Sequence, residues 1–323
     1  MSNYPVKVKI IADSASPAGA RLTTFELEYP RYLHAEMLTH RVFSKNSQSS
    51  RAVPVVKTKI ANIKPVTPLI WGQNVPGMQS KGELIGIKLK LAKFIWRCAS
   101  NTAFALSSAL GKLGLHKQWS NRITEPFSTI KVVLSSTDFT NFFWLRIDEA
   151  GVQPEMFKLA MDMKQVYDLS IPVQLEAGEW HVPYVTNKVL EGEQVFFDAD
   201  GAEVSIETAL KISASCCAQV SYRNLDDSIK KADDIFAKLF SGERPHLSPT
   251  EHQGRVMRRE TCTNTDVNYS GSMQYLSATR GVTALNKDGK YLSGNLTGFC
   301  QLRQLLGQKE QMFNFLKEDS DAS

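Results

Sequence analysis

The polar segment at residues 36–54 (E-M-L-T-H-R-V-F-S-K-N-S-Q-S-S-R-A-V-P) constrains this chain more than any other stretch. It has scarcely an apolar side chain after Phe43, and Arg41 and Arg51 enclose a run of hydroxyl and amide groups. Each guanidinium can donate two parallel charge-assisted hydrogen bonds, which suits phosphate oxygens. A solvated serine-rich loop after a helix has the same composition, so composition alone leaves both interpretations open.

The spacing within this segment favours the binding interpretation. Residues 39–51 resemble the signature R-H-R-x-x-S-x-N-x-x-S-x-R of the flavin-dependent thymidylate synthases (the ThyX family). Thr39 stands where that signature has its first arginine. The positions that agree are His40, Arg41, Ser44, Asn46, Ser49 and Arg51.

Two later segments resemble the same family. N-R-I-T-E-P-F (121–127) is similar to the segment whose arginine grips the nucleotide, which makes Arg122 a candidate, although a surface arginine at a helix end has the same pattern. N-F-F-W-L-R (141–146) is similar to N-F-L-x-L-R, in which the asparagine touches flavin and the arginine activates the pyrimidine. Asn141 and Arg146 occupy those positions, and V-Q-P-E (152–155) fits the family's following A-Q-x-E.

Two further matches occur out of order. The family has A-R-V-S-F and H-x-x-P-F-E-H before its arginine-rich signature, whereas here A-Q-V-S-Y (218–222) and H-L-S-P-T-E-H (246–252) follow it. The chain therefore resembles a circularly permuted member, and permutation is tolerated when the termini are close together. S-P-T-E also fits a helix start, with Ser248 as the N-cap and Glu251 completing a capping box.

The resemblance implies an α+β fold like that of the thymidylate synthase-complementing proteins, with a mixed or antiparallel sheet and long helices. It implies an enzyme that transfers one carbon from methylene-tetrahydrofolate to carbon five of dUMP. FAD would mediate the redox step, NADPH would be the final reductant, and the sites would form between subunits of a homotetramer. Arg146 would activate the ring electrostatically, in place of the cysteine of ordinary thymidylate synthases.

The resemblance also assigns residues to ligands. The nucleotide would contact Glu36, Ser49, Ser50, Arg51 and Arg122. FAD would contact His40, Arg41, Ser44, Asn46, Ser47, Asn141, Ser221, His246, Ser248 and Glu251.

Several positions depart from the family pattern besides Thr39. Glu36 stands where a glutamine is common, Ser47 where a glutamate is common, and Gln219 where an arginine is common. A glutamate near a pyrimidine can accept from an exocyclic amine, so methylation or hydroxymethylation of dUMP or dCMP is an alternative. A non-catalytic nucleotide-binding or nucleic-acid-binding relative is a second alternative, because fold does not determine function.

Bulk properties agree with a small-molecule enzyme. A chain of 323 residues with 42% hydrophobic content can bury a full core. We expect two intergrown lobes, residues 1–190 with the Arg/Ser signature and residues 205–323 with the H-x-S-P-x-E-H motif. The net charge of +5 comes from scattered basic residues, which suits a small anionic ligand and makes nucleic acid an unlikely partner.

Cysteine usage and hydropathy predict the compartment. The five cysteines form no C-x-x-C pair and have no histidine at zinc spacing, so we expect no metal site. With no secretion signal, an odd number of cysteines indicates reduced thiols. No apolar run approaches the roughly 18 residues that a membrane span needs. We therefore expect a cytoplasmic protein without a membrane partner.

Local patterns predict the main elements. In the first predicted helix, Met37, Arg41 and Ser44 share one face. Residues 71–79 are predicted to form a loop that could serve as a lid. We expect the long helix to be interrupted near Ser100. One apolar stripe on it consists of Ile87, Leu91, Phe94, Ile95 and Cys98. The predicted core residues are Trp96, Phe104, Phe142, Phe143 and Leu145. A late motif, S-G-N-L-T-G-F-C-Q-L-R (293–303), has no assigned role. Strands are predicted at 6–11, 22–29 and 129–134, and helices at 31–43, 83–115, 153–167, 205–221 and 226–240.

Overall fold

The computed structural model describes residues 4–54, 64–221, 225–241, 245–257, 284–285, 291–292 and 294–306. It is a mixed α+β structure with long helices, as the sequence predicted. The strands are β1 Lys7–Ala15, β2 Arg21–Pro30, β3 Ser44–Ser47, β4 Thr129–Ser136, β5 Val173–Gln174, β6 Trp180–His181, β7 Thr186–Leu190, β8 Glu193–Phe197, β9 Glu203–Val204, β10 Gly254–Val256, β11 Ala284–Leu285, β12 Tyr291–Leu292 and β13 Phe299–Gln301. The α-helices are α1 His34–Thr39, α2 Gly86–Lys112, α3 Lys117–Ser120, α4 Thr140–Arg146, α5 Pro154–Leu169, α6 Ile206–Ala218, α7 Ile229–Phe240 and α8 Leu302–Leu305.

A five-stranded sheet in the order β3-β4-β2-β1-β5 organises the first core. Its neighbours are antiparallel except for β1 and β5, which are parallel. Phe25 and Leu27 of β2 are completely buried, and they pack in one cluster with Met37 of α1, Phe142 of α4 and Leu159 of α5. This packing places the C-terminal ends of α1 and α4 beside each other.

A second sheet, in the order β13-β10-β6, joins distant parts of the chain. Its strands come from both sides of the predicted lobe boundary, and the division into lobes stays a prediction. Gly254 of β10 is required by a close approach, because an added Cβ would lie 2.8 Å from Leu22 Cδ2. The antiparallel strands β7, β8 and β9 form a third sheet, and α6 and α7 contribute most of the second core.

The predicted helix at 31–43 is wrong beyond Thr39. A 3-10 helix at Arg31–Leu33 leads into α1, which ends at Thr39, and Ser44–Ser47 is the edge strand β3. Pairing of β3 with β4 satisfies the backbone there, and Phe43 enters the core at 2% exposure. Met37, Arg41 and Ser44 therefore do not share a helix face.

The long helix α2 is confirmed, but the interruption expected near Ser100 is wrong because the helix runs unbroken from Gly86 to Lys112. Phe104 is buried, and Trp96 donates its indole N–H to the Val66 carbonyl (2.8 Å). The apolar stripe predicted on this helix faces outward. Its members Ile87, Leu91, Phe94, Ile95 and Cys98 are all exposed.

Two smaller expectations are corrected. Phe142 and Phe143 are buried as predicted, but Leu145 is 42% exposed, because it lies on the face of α4 that turns away from the sheet. The capping box at Ser248 is wrong, since residues Ser248–Glu251 form a 3-10 helix whose N-cap is Leu247 without a side-chain cap. In the part of the chain that the structure describes, no helix is long and apolar enough to span a membrane.

Candidate functional site

The C-terminal end of α4 carries Arg146, which is held between two residues from α1 and its end. Its Nη1 donates to Glu36 Oε2 at 3.0 Å, and its Nε donates to His40 Nε2 at 3.1 Å. Arg146 and Glu36 form an ion pair in which both side chains are partly exposed. Two motifs about a hundred residues apart in sequence therefore meet at one guanidinium.

His40 is a neutral imidazole in this arrangement. Burial, together with the positive charges of Arg146 and Lys45, lowers the pKa of His40 to about 4. Because Nε2 accepts from Arg146, the proton of the neutral ring is on Nδ1. The ring stacks on Phe43 at 5.7 Å and meets Phe142 edge-on at 4.9 Å, so it is fixed on both sides. The orientation of the guanidinium is set by a rigid aromatic cluster.

A cavity of about 510 Å³ opens beside this group. One wall comes from residues 68–80, which include the predicted lid, and Gln79 Nε2 from this wall donates to the Gly151 carbonyl (2.8 Å). The buried carboxylate of Glu155 accepts from the Leu69 amide (2.7 Å) through Oε1. The charged lining residues are Glu36, Glu155 and Arg146. The cavity thus has two carboxylates and one guanidinium among neutral polar and apolar side chains.

A second group of predicted residues lies at residues 49–53. Asn121 Nδ2 donates to the carbonyls of Ser50 and Val53, both at 2.8 Å, which joins this loop to the segment that carries Arg122. Arg122 is half exposed and pairs with Glu125 at 3.2 Å. Arg51 is exposed, and its amide donates to Ser49 Oγ (3.3 Å). Ser49, Ser50, Arg51 and the Arg122 segment are therefore adjacent in the fold.

A third group consists of predicted flavin residues that point into the protein. Ser44 is completely buried and accepts from two side-chain amides, Asn295 Nδ2 (3.2 Å) and Gln301 Nε2 (3.0 Å). Asn46 Nδ2 donates to the Cys217 carbonyl at 2.6 Å. The carboxylate of Glu251 forms an ion pair with Arg303.

Most of the remaining predicted flavin residues have exposed side chains. The exposed ones are Arg41 after α1, Asn141 in the first turn of α4, and His246 and Ser248 around the 3-10 helix. Ser47 is half-buried at the end of β3. Ser221 ends the 3-10 helix at Gln219–Ser221, and its side chain is outside the described residues.

A buried polar chain crosses from the main sheet to the second sheet, and no sequence pattern predicted it. Ser14 Oγ contacts His181 Nδ1 (2.9 Å), and His181 Nε2 contacts Thr24 Oγ1 (2.8 Å). Thr24 Oγ1 contacts Ser135 Oγ (2.7 Å), which in turn contacts His252 Nδ1 (2.9 Å). Burial lowers the pKa of both histidines to about 3, so both rings are neutral. These contacts fix β1, β2 and β4 against β6 and the residues before β10.

Several residues that shape the site were missed. Glu155 belongs to the quoted V-Q-P-E segment, and its position in the first turn of an amphipathic helix, next to the apolar Met156, was a usable signal. Asn295, Gln301 and Arg303 belong to the late motif, to which the sequence alone assigned no role. Asn295 and Gln301 donate to Ser44, which lies more than two hundred residues earlier in the chain, so only the fold identifies these contacts.

No protein-family model matches this chain, and no curated protein matches it. Two solved structures of PolB, a UMP/dUMP methylase from Streptomyces cacaoi, are similar to part of it. The complex with 5-Br dUMP has a TM-score of 0.43 at 14% identity, covering 51% of this chain and 91% of PolB. The complex with 5-Br UMP has a TM-score of 0.41 at 14% identity, covering 52% and 90%. We draw no conclusion about the site from a similarity of this size.

Proposed function

We propose that this protein is an enzyme that transfers a one-carbon unit to carbon five of a pyrimidine nucleotide. In the form implied by the resemblance to flavin-dependent thymidylate synthases, the substrate is dUMP and the donor is methylene-tetrahydrofolate. The observation that supports this best is Arg146, which projects from α4 at the edge of the cavity and is oriented by Glu36 and His40. All three residues come from segments that resemble the family's nucleotide and flavin motifs.

Arg146 has the chemistry that ring activation requires. Carbon five of uracil becomes more nucleophilic when the pyrimidine ring carries additional negative charge. A guanidinium fixed before the reaction stabilises that charge without reorganisation. His40 holds the guanidinium through a neutral acceptor and therefore orients Arg146 without competing for its charge.

The cysteines of the described residues support the same electrostatic route. Burial raises the pKa of Cys216 and of Cys300 to about 12 and that of Cys217 well above its usual value, so none of these three is a thiolate near neutral pH. Cys98 is exposed on the outer face of α2, away from the cavity lining. Cys262 lies outside the described residues. Among the described residues, therefore, no cysteine supports a covalent adduct.

The cofactor proposal is FAD, with NADPH as the final reductant; FAD supplies the redox chemistry when it is bound. The exposed residues Arg41, Asn141, His246 and Ser248 have the donors that would hold a dinucleotide. Ser44, Asn46 and Glu251 fit less well, because each already has a partner within the chain. In this chain the flavin would be held through the exposed residues.

The nucleotide has two kinds of contact available. Arg51 and Arg122, with Ser49 and Ser50 beside them, supply cations and hydroxyls for a phosphate. The cavity at Arg146 suits the base, because its lining combines apolar side chains with polar groups that can bond a pyrimidine edge.

Glu36 favours a second candidate base. A carboxylate only accepts hydrogen bonds, whereas the glutamine common in the family both donates and accepts. With Glu36 and Glu155 lining the cavity, the exocyclic amine of dCMP finds acceptors that uracil does not need. Methylation or hydroxymethylation of dCMP is therefore the second candidate function.

A homotetramer is part of the proposal. The outward stripe on α2 includes Leu91, Phe94 and Ile95, each at least half exposed. Contiguous exposed apolar side chains of this kind mark protein contacts. A second copy of the chain would cover them.

The deciding experiment is a visible spectrum of the purified protein reconstituted with FAD, followed by titration with dUMP and dCMP. A flavin spectrum that one nucleotide perturbs supports the proposal and identifies the base, and Arg146→Ala should abolish that response. Product formation with methylene-tetrahydrofolate and NADPH completes the test. Absence of flavin after reconstitution would overturn the redox mechanism, and salt-sensitive polynucleotide binding without flavin would favour a nucleic-acid-binding relative.

A further inference from the structure

Residues 294–306, which include most of the late motif, contact both of the segments that resemble the family's flavin motifs. We call residues 294–306 the C-terminal clasp. Its strand β13 pairs with β10, and the Leu302 amide donates to the Gln253 carbonyl (3.1 Å). The Thr297 amide donates to Thr137 Oγ1 (3.0 Å) in the turn between β4 and α4. The clasp therefore contacts several elements that surround the site.

Gln301 is the central residue of this contact. Its side chain is 3% exposed, and Nε2 donates both to Ser44 Oγ (3.0 Å) and to the Glu251 carbonyl (2.7 Å). Oε1 accepts from the Asn295 amide (3.2 Å). Both ends of the side-chain amide are occupied, so its orientation is fixed. One buried amide thus links β3 to the 3-10 helix at Ser248–Glu251.

Ser44 and Glu251, the two residues that Gln301 links, each have a second contact with the clasp. Ser44 Oγ also accepts from Asn295 Nδ2 (3.2 Å), and the Glu251 carboxylate also pairs with Arg303. Gly294 allows this close packing, since an added Cβ would lie 2.5 Å from Gln301 Oε1. Ser44 itself has no exposed surface.

We infer that Ser44 and Glu251 anchor the C-terminal clasp and do not contact flavin, and that Gln301 is the positioning residue that fixes the two motifs relative to each other. Both lone pairs of Ser44 Oγ receive amide donors, and its side chain is inside the protein, so a ligand would have to displace the clasp to reach it. The resemblance assigned Ser44 and Glu251 to FAD; in this chain they instead hold parts of the fold together.

The first test is hydrogen exchange measured by mass spectrometry on the full chain, without any ligand. Gln301→Leu should increase exchange about tenfold in peptides that cover residues 44–47 and 246–257, because one hydrogen bond of about 1.4 kcal/mol corresponds to a factor of ten. Thr297→Ala is the matched control, because it keeps the backbone amide that bonds Thr137, and it should leave both peptides unchanged. An increase confined to residues 294–306 would overturn the inference.

Asn295→Ala keeps the test usable if Gln301→Leu does not fold. It removes one of the two donors to Ser44 and should increase exchange at residues 44–47 by a smaller factor. Ser44→Ala combined with Gln301→Leu should be less than additive, because removing both partners leaves no unpaired group between them. Full additivity would contradict direct coupling of the two residues.

A second test, which rests on the proposed function, decides whether Ser44 anchors the clasp or contacts flavin. Ser44→Ala should leave the Kd for FAD within twofold of the unaltered chain while exchange at residues 246–257 rises. A rise of tenfold or more in that Kd with unchanged exchange would show that Ser44 is a flavin contact and would overturn the inference. If the unaltered chain binds no FAD, the proposed function fails, while the exchange experiment still decides whether the clasp exists.

Discussion

The guanidinium of Arg146 and the carboxylate of Glu36 lie 3.0 Å apart and line the same cavity. The carboxylate partly neutralises the charge that the proposed mechanism needs, and it presents only acceptors to a bound base. Replacing it therefore tests both the strength of activation and the choice of base.

We expect Glu36→Gln to raise kcat/KM for dUMP relative to dCMP. The amide adds a donor for a uracil carbonyl and leaves Arg146 without a counter-charge. Both side chains are partly exposed, so the free energy of unfolding should change by less than about 1 kcal/mol. Steady-state kinetics with both nucleotides and a denaturant titration check this, and an unchanged ratio of the two kcat/KM values would contradict it.

Arg146→Lys should lower kcat/KM by roughly a hundredfold to a thousandfold, since a single ammonium cannot contact Glu36, His40 and the negatively charged pyrimidine ring together. Single-turnover measurements at saturating nucleotide would place the loss in the chemical step. Arg97→Lys, on the exposed side of α2, is the matched control and should behave like the unaltered chain. Equal losses in both variants would show that Arg146 has no special role.

The buried histidines predict acid sensitivity. Burial lowers the pKa of His181 and of His252 to about 3, below the usual value of 6.5. The unfolded chain therefore binds protons that the folded chain does not, so their contribution is full above pH 6.5 and falls as the pH approaches 3. The slope is about 1.4 kcal/mol per pH unit for each histidine.

Denaturant titrations between pH 7.5 and pH 4.5 would measure that slope. His34 and His40, whose pKa values burial lowers to about 4, add a loss of the same sign. His116→Gln alters an exposed residue and should leave the slope intact. Stability that stays constant down to pH 5 would exclude neutral buried rings in the folded state.

Ser135→Ala should destabilise the fold by about 1–3 kcal/mol, because it leaves the buried His252 Nδ1 without a partner and removes one of the two partners of Thr24 Oγ1. Ser108→Ala is the control: its hydroxyl bonds a carbonyl of its own helix, and the change should stay within about 0.5 kcal/mol. Urea unfolding followed by circular dichroism would compare them. Similar midpoints for the two variants would argue against the buried polar chain.

Phe94→Asp should convert the proposed tetramer to a smaller species, because it places a charge within the exposed apolar stripe of α2. Light scattering after size-exclusion chromatography measures the mass directly. Arg97→Lys, on the same helix, should retain the assembly. A tetramer that survives Phe94→Asp would place the subunit contact elsewhere.

The elements with strong periodicity were predictable because local physics decides them. The strands β1, β2 and β4 alternate or are rich in branched residues, and α2, α5, α6 and α7 carry long helical patterns. The stretch at residues 40–47 was not predictable, because pairing of β3 with β4 outweighed a local preference for helix. The burial of Ser44 follows from the same pairing.

The sequence by itself determined the mixed fold class, the burial of Phe142 and Phe143, and the motifs from which Glu36, His40 and Arg146 were selected. Only the tertiary structure decided which motif residues meet: Arg146 joins Glu36 and His40, whereas Ser44 and Glu251 join Gln301. The physical reason is that hydrogen bonds between residues far apart in sequence depend on how the elements pack. Spacing along the chain gives the residue types at a site, and packing determines whether each side chain meets a ligand or another part of the protein.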